Sequence, residues 1–361
     1  MKHVGIDLGA TKTALCILST DGLIERERTI RTDELSEWFE EQSPALMIME
    51  SCAESRVVAS LAQRAGHQAR VVPSVIVRAL GVGARRIKTD RKDALALANA
   101  SFRLGEQLPA IHLRSDASAA TTTTIRGRWG LVQLRTRCVN FVRAQLRKDL
   151  IGRPRASSAT FTAAVRTKLK ARGEVPSPIV ESYLKTIDAS NEQISAIDEQ
   201  LERLAQTELH RRLRVVPGVG PVIAVAMVAM IDDPKRFASA SHLASYLGLS
   251  PGENTTGGGK PYRTGIIAAG QPLLRSLLVQ GAWSLMQARR RNDPLALWAR
   301  ELAAKKSKRI AVVALARRLA IVLWAMMRDG TSYNPALTAP RPPPQPQPVP
   351  SSPAAEVTVT R

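Results

Sequence analysis

Four acids stand where a sequence ordinarily avoids them. In MKHVGIDLGATK, Val4, Ile6 and Leu8 alternate with His3, Gly5 and Asp7, so a predicted strand presents one carboxylate just before Gly9. Glu50 ends the short apolar run Ala45–Met49 in the same way. Asp90 and Asp93, in KTDRKDA, are three residues apart at a predicted helix start; they share a face, and the helix dipole favours them there. A carboxylate between apolar neighbours resists desolvation, so a compensating charge is expected, either a divalent cation or the phosphates of a nucleotide held by the turn. Four converging carboxylates are what two divalent cations need for phosphodiester chemistry. Arg85, Arg86, Lys88, Arg91 and Lys92 flank the helical pair and would attract a DNA or RNA backbone. The plainer reading of Asp90 and Asp93 is helix capping and solvated charge.

The elements that must hold these acids follow from the pattern around them. Thr13–Ser19 predicts a second strand, Asp21-Gly22 a hairpin turn and Leu23–Ile30 a third strand. Residues 33–43 read as a helix, Ala45–Met49 as a buried strand, Ser55–Ala65 as a helix and Gln68–Val72 as a strand ending at Pro73. The order β-β-β-α-β-α-β predicts an α/β domain with a mixed sheet. The helix Ala94–Phe102 follows the acidic pair.

Composition bounds the partner. The 361 residues carry 52 Lys and Arg against 31 Asp and Glu, a formal net charge of +21, which argues for a polyanion. Hydrophobic residues make up 44% and aromatics only 4%, so the core must be mostly aliphatic. Cys16, Cys52 and Cys138 are too few and too scattered for a disulfide framework or a zinc site. No signal peptide pattern opens the chain, and no apolar run reaches the roughly 18 residues that span a bilayer. A cytoplasmic protein is expected.

Further along, residues 115–150 predict a long basic helix with Arg135, Arg137, Arg143, Arg147 and Lys148. Residues 179–206 carry a heptad seam of Val180, Tyr183, Ile187, Ser190, Ile194, Ile197, Leu201 and Leu204. The seam suits a dimerising coiled coil, or packing against the preceding basic helix. Val215–Val222 (VVPGVGPV) resembles a helix-hairpin-helix turn, in which Gly218 and Gly220 would let backbone N–H groups approach phosphates. Phe237–Leu249 and Leu273–Met286 read as helices, separated by the Gly-rich PGENTTGGGK. Arg143, Arg147, Lys260, Arg263 and Arg275 complete the expected nucleic-acid contacts. From about residue 336 the chain is Pro-rich and expected to be extended or disordered.

Two resemblances follow from these residues. GIDLGATKT resembles the phosphate-binding opening of sugar kinases and other actin-like ATPases, over about ten residues. From Val4 to about Tyr333 the chain resembles transposases of the insertion sequence 110 family, which are related to Piv-type DNA invertases. The motifs are VGIDLG, MESCAE, KTDRKDA, VPGVGPVIA, FASASHLASYLGLSPGEN, LLRSLLVQGAW and KKSKRIAVVALARRLA. The resemblance implies a ribonuclease-H-like (RuvC-like) domain whose Asp-Glu-Asp-Asp tetrad, Asp7, Glu50, Asp90 and Asp93 here, binds Mg2+. It implies excision and insertion of mobile DNA, double-stranded donor and target DNA, and a guide RNA encoded by the element. The family's nucleophilic Ser precedes Gly-Gly, the place taken here by Thr256, with Thr255 and Ser250 nearby. The family's Thr-Lys-x-Gly is Ile267-Ala268-Ala269-Gly270 here. A Thr methyl stiffens the side chain and hinders in-line attack, so a binding-only relative is the alternative. The expected domains are a RuvC-like domain at 1–112, coiled-coil helices at 113–207 forming a dimer or tetramer, a mainly α transposase domain at 208–335 and a tail at 336–361.

Overall fold

The computed structural model of the chain describes residues 1–79, 89–254, 262–267, 269–287 and 292–338. It divides into two compact units, Met1–Arg114 and Ser115–Arg361.

The first unit is built on strands β1 (Lys2–Leu8), β2 (Lys12–Leu18) and β3 (Ile24–Arg31), then helix α1 (Leu35–Glu40), β4 (Ala45–Glu50), α2 (Ser55–Arg64), β5 (Gln68–Val72), α3 (Ser74–Ala79) and α4 (Asp90–Leu104). The sheet order is β3-β2-β1-β4-β5. β1 pairs antiparallel with β2 and parallel with β4. β2–β3 is antiparallel and β4–β5 parallel. The mixed sheet is consistent with a RuvC-like domain.

Strand alternation divides the side chains between two layers. Val4, Ile6, Leu15, Ile17, Met47 and Met49 face one way, onto Trp38 and Phe39 of α1 and Val58 and Ala59 of α2. Ala14, Cys16 and Leu18 face the other, onto Ala94 and Ala98 of α4. Leu46 and Ile48 join them there, against Leu97 and Ala100. Every strand of the centre is therefore buried on both faces, which is why β4 reads as a continuous apolar run.

The second unit is helical: α5 (Asp116–Lys148), α6 (Phe161–Lys170), α7 (Pro178–Leu204), α8 (Glu208–Arg214), α9 (Pro221–Ile231) and α10 (Ala240–Leu247), then the hairpin β6 (Pro251–Asn254) and β7 (Tyr262–Ile266), then α11 (Pro272–Gln287), α12 (Pro294–Lys305), α13 (Lys308–Asp329) and α14 (Pro335–Thr338). The heptad seam of α7 meets the basic helix of its own chain. Val180, Leu184 and Ile187 pack with Cys138, Val139, Val142 and Leu146 of α5 and with Phe161 and Val165 of α6. Arg128 pairs with Asp198, and Arg135 donates to Asn191 Oδ1 at 2.9 Å, so polar contacts flank the same seam. Of the two readings of the heptad, intrachain packing describes the fold. At its C-terminal end, Leu201 enters the core formed by α9, α10, α11 and α13, as does Ile125 of α5.

α9 is apolar on all sides and sits inside that core, with Ala224, Val225, Ala226 and Met227 all buried. α13 is long and apolar enough to cross a membrane by length and average composition, although it holds no uninterrupted apolar run of 18 residues. Arg317 and Arg318 interrupt its sequence, and Ala311, Val312, Leu315, Leu319 and Leu323 are buried in the unit's core.

Candidate active site

β1 and α4 run in opposite directions across the first unit, as the contacts of His3 and Gly5 show. His3 Nδ1 lies 2.7 Å from Ser101 Oγ. Two residues on, Gly5 lies against the α4 backbone at Ala98 and Ala94. Two residues further, Asp7 points to the same face, toward the first turn of α4, where Asp90 and Asp93 sit. Gly5 has no side chain because α4 leaves no room for one: a Cβ would stand 1.9 Å from the Ala94 carbonyl oxygen. The close approach brings the helix start down over the strand end.

Glu50 joins from β4. The parallel register pairs Ile6 with Met49, so one further step sets Asp7 beside Glu50. Glu50 shares a face with Leu46 and Ile48, which is the α4 face. Three elements thus bring acids to one edge. Asp93 is buried, at 6% exposure, whereas Asp90 is exposed and Asp7 and Glu50 are half-buried. The turn after Asp7 is pinned by the residue just past β3: Thr32 Oγ1 donates to the Gly9 carbonyl at 2.7 Å, and the Thr32 amide donates to the Thr11 carbonyl at 3.0 Å.

Carboxylate oxygens are the donors that Mg2+ takes. By donor type and by placement on one face, Asp7, Glu50, Asp90 and Asp93 fit a hard divalent cation. Among the described residues, however, no three His, Cys, Asp or Glu side chains are gathered into a ligating group.

The basic residues divide into those turned outward and those used internally. Arg91 pairs with Glu27 of β3, which holds the Glu27 carboxyl below its ordinary range, while Lys92 is exposed. Arg147 is exposed near the end of α5. Arg143 instead lies over the Phe161 ring, 5.3 Å from its centroid, and its buried Nε has no hydrogen-bond partner. Arg85, Arg86, Lys88, Thr255, Thr256 and Lys260 lie outside the described residues.

Gly218 belongs to the turn between α8 and α9, with φ +85°. A Cβ there would stand 2.5 Å from the Gly281 carbonyl oxygen of α11, so this glycine serves helix packing. Gly220 has open space around it.

The hairpin β6–β7 brackets residues 255–261. Its strands pair Pro251 with Ile266, Glu253 with Arg263 and Asn254 with Tyr262. The Ile267 amide donates to the Ser250 carbonyl at 3.0 Å, and Ser250 Oγ lies 3.1 Å from Ser245 Oγ of α10. Arg275 of α11 spends one guanidinium nitrogen inside the protein: Nη1 donates to the Leu247 carbonyl at 2.8 Å and to the Ala269 carbonyl at 2.9 Å. No sequence pattern announced that contact. Gly5, by contrast, was signalled by its place inside a strand, where glycine often marks a close backbone approach.

Known proteins match both units. A DEDD transposase profile of the IS110 type matches residues 4–149, and one described as transposase IS116/IS110/IS902 family matches residues 210–296. A Sinorhizobium fredii protein named as a transposase is 29% identical over 310 residues, which is 84% of this chain and 78% of the relative. The transposase for insertion sequence element IS1328 of Yersinia enterocolitica is 28% identical over 340 residues, covering 92% of this chain and 98% of that protein. The pilin gene-inverting protein of Moraxella lacunata is similar over 174 residues, at 29% identity, covering 46% of this chain and 53% of that protein.

Proposed function

The chain belongs to the IS110 family of transposases, and from that premise we propose that it excises and inserts mobile DNA by metal-assisted strand exchange through a covalent protein–DNA link. Asp7, Glu50, Asp90 and Asp93 would hold one or two Mg2+ ions, which would supply Lewis-acid polarisation of the scissile phosphate and offset the charge that builds on it. Thr256 is the nucleophile, with Thr255 and Ser250 as the neighbouring hydroxyls. Its Oγ1 forms a bond to phosphorus, the scissile P–O bond breaks, and the departing deoxyribose oxygen takes up a proton to become a hydroxyl. The hydroxyl of the partner DNA end then attacks the same phosphorus and frees Thr256. The number of phosphoester bonds is unchanged, so no nucleotide triphosphate is consumed.

Double-stranded donor and target DNA are the substrates, and a guide RNA encoded by the element pairs with both. The formal charge of +21 supports a partnership with more than one nucleic acid. The exposed Lys92 and Arg147 are free to face a phosphate backbone. A homo-oligomer, dimer or tetramer, brings together the two cleavage centres that two duplexes require.

The observation that supports the reading is that β1 and β4 run parallel with Asp7 and Glu50 near their C-terminal ends, while Gly5 of β1 lies against Ala94 of α4. Its test is cleavage of the element's own ends by the purified protein. Cleavage should need Mg2+ and stop with EDTA. Asp7→Asn should abolish it while nucleic-acid binding persists. An Asp7→Asn protein that cleaves like wild type would remove the acids from the mechanism. Binding by wild type without cleavage would favour a relative that has kept the fold and lost the chemistry, which the Thr at the nucleophile position makes the second reading.

A further inference from the structure

The root of the β6–β7 hairpin is held by more than its own strand pairing. α10 ends at Gly248, whose φ of +67° closes the helix in the left-handed conformation. Beside it, the chain returns from β7 through Ala269 and Gly270, the latter with φ +85°. The two segments interlock. A Cβ on Gly248 would stand 1.9 Å from the Ala269 carbonyl oxygen, and one on Gly270 would stand 2.1 Å from the Tyr246 carbonyl oxygen. The Gln271 amide donates to that Tyr246 carbonyl at 3.1 Å.

Arg275 spans this junction. Its Nη1 donates to Leu247 O, an end carbonyl of α10, at 2.8 Å, and to Ala269 O, past the end of β7, at 2.9 Å. Helix-end carbonyls lack intrahelical partners, and a charged donor bonds them more strongly than a neutral one. One nitrogen thus ties the segment entering the hairpin to the segment leaving it. Arg275 is fixed in turn by its place in the first turn of α11, between the buried Leu274 and Leu278.

We propose that Arg275 is a positioning residue for strand cleavage: it fixes the root of the β6–β7 hairpin, whose strands flank residues 255–261 in sequence, without itself contacting DNA. The proposal rests on the assignment of Thr256 as nucleophile for its chemical consequence, and on the clamp alone for its structural one. Lys can supply a charge and a donor at this position but lacks the rigid planar fork of Arg.

The test uses the full-length protein, with Arg275→Lys and Arg275→Met beside wild type. Amide hydrogen exchange reads the clamp directly. Arg275→Met should speed exchange at Ile267 and in β6–β7 at least tenfold while α9 stays protected, with Arg275→Lys between. Exchange that is unchanged at the hairpin, or faster throughout the second unit, overturns the positioning role. DNA binding across a salt series reads the absence of a phosphate contact. The slope of log K against log salt should be the same in all three proteins, whereas loss of one phosphate contact lowers it by about 0.9. Single-turnover formation of the covalent protein–DNA adduct at saturating DNA should fall at least tenfold in Arg275→Met and recover partly in Arg275→Lys. A wild-type protein that forms no adduct sinks the Thr256 reading, and the exchange and salt measurements still decide for or against the clamp.

Discussion

Gly5 of β1 and Ala94 of α4 touch backbone to backbone: a Cβ on Gly5 would stand 1.9 Å from the Ala94 carbonyl oxygen and 2.6 Å from the Ala98 nitrogen. The contact sets the height of α4 above the sheet, and with it the height of Asp90 and Asp93 above Asp7. Gly5→Ala has no flexible side chain to push aside. It should destabilise the protein by roughly 2–3 kcal/mol, measured by urea unfolding, and reduce cleavage in whatever remains folded. A variant as stable and active as wild type would show that α4 can rise without cost.

The α7 seam tests where its partner lies. Ile187 is fully buried, among residues of α5 and α6. Ile187→Ala should cost about 2–4 kcal/mol, and the loss should be the same at every protein concentration. A concentration-dependent Tm difference would mean that the seam is shared between copies.

The two arginines near the end of α5 should separate cleanly. Arg147→Ala removes an exposed cation and should lower the salt slope of nucleic-acid binding by about 0.9 with little change in stability. Arg143→Ala removes the cation lying over Phe161 and should cost about 0.5–2 kcal/mol of stability, with the slope unchanged. A wild-type slope in Arg147→Ala, or a lowered slope in Arg143→Ala, would contradict this division.

The cysteines give a pH-dependent readout. The Cys16 thiol is pushed up to about 11, by burial first and then by Glu27, with Arg91 pulling the other way. An unfolded thiol titrates near roughly 8.5. The folded chain therefore keeps a proton that the unfolded chain gives up. This contribution to stability is full below that value and is lost as pH rises toward about 11. Cys16→Ala should flatten that alkaline decline. At pH 8, alkylation should mark the exposed Cys52 first and leave the buried Cys16 and Cys138 untouched until unfolding. Equal labelling of all three thiols in the folded protein would contradict the burial of the sheet.

Strands β1 to β5 were legible because alternation, the Asp21-Gly22 turn and the apolar run before Glu50 are local signals. The positions of the four acids were legible for the same reason: Asp7 and Glu50 stand at or near strand ends and Asp90 and Asp93 in the first turn of α4. What the residues could not announce is contact made through backbone. The Arg275 clamp uses two carbonyls, and Gly218 is needed because of Gly281, 63 positions away in sequence. The partner of the α7 seam was obscured because the buried residues of α5, Cys138, Val139, Val142 and Leu146, are interleaved with arginines. The β6–β7 hairpin escaped notice because its strands are short and the sequence between them is rich in glycine, which reads as irregular chain.

The most direct test of the central claim is circle-junction formation in cells that carry the intact element with its flanking ends. Wild-type protein should produce junctions, Thr256→Ser should produce at least as many, and Asp7→Asn and Thr256→Ala should produce none. Junctions from Thr256→Ala at the wild-type level would contradict the covalent Thr256 mechanism, and their absence from both wild type and Thr256→Ser would contradict strand exchange by this chain.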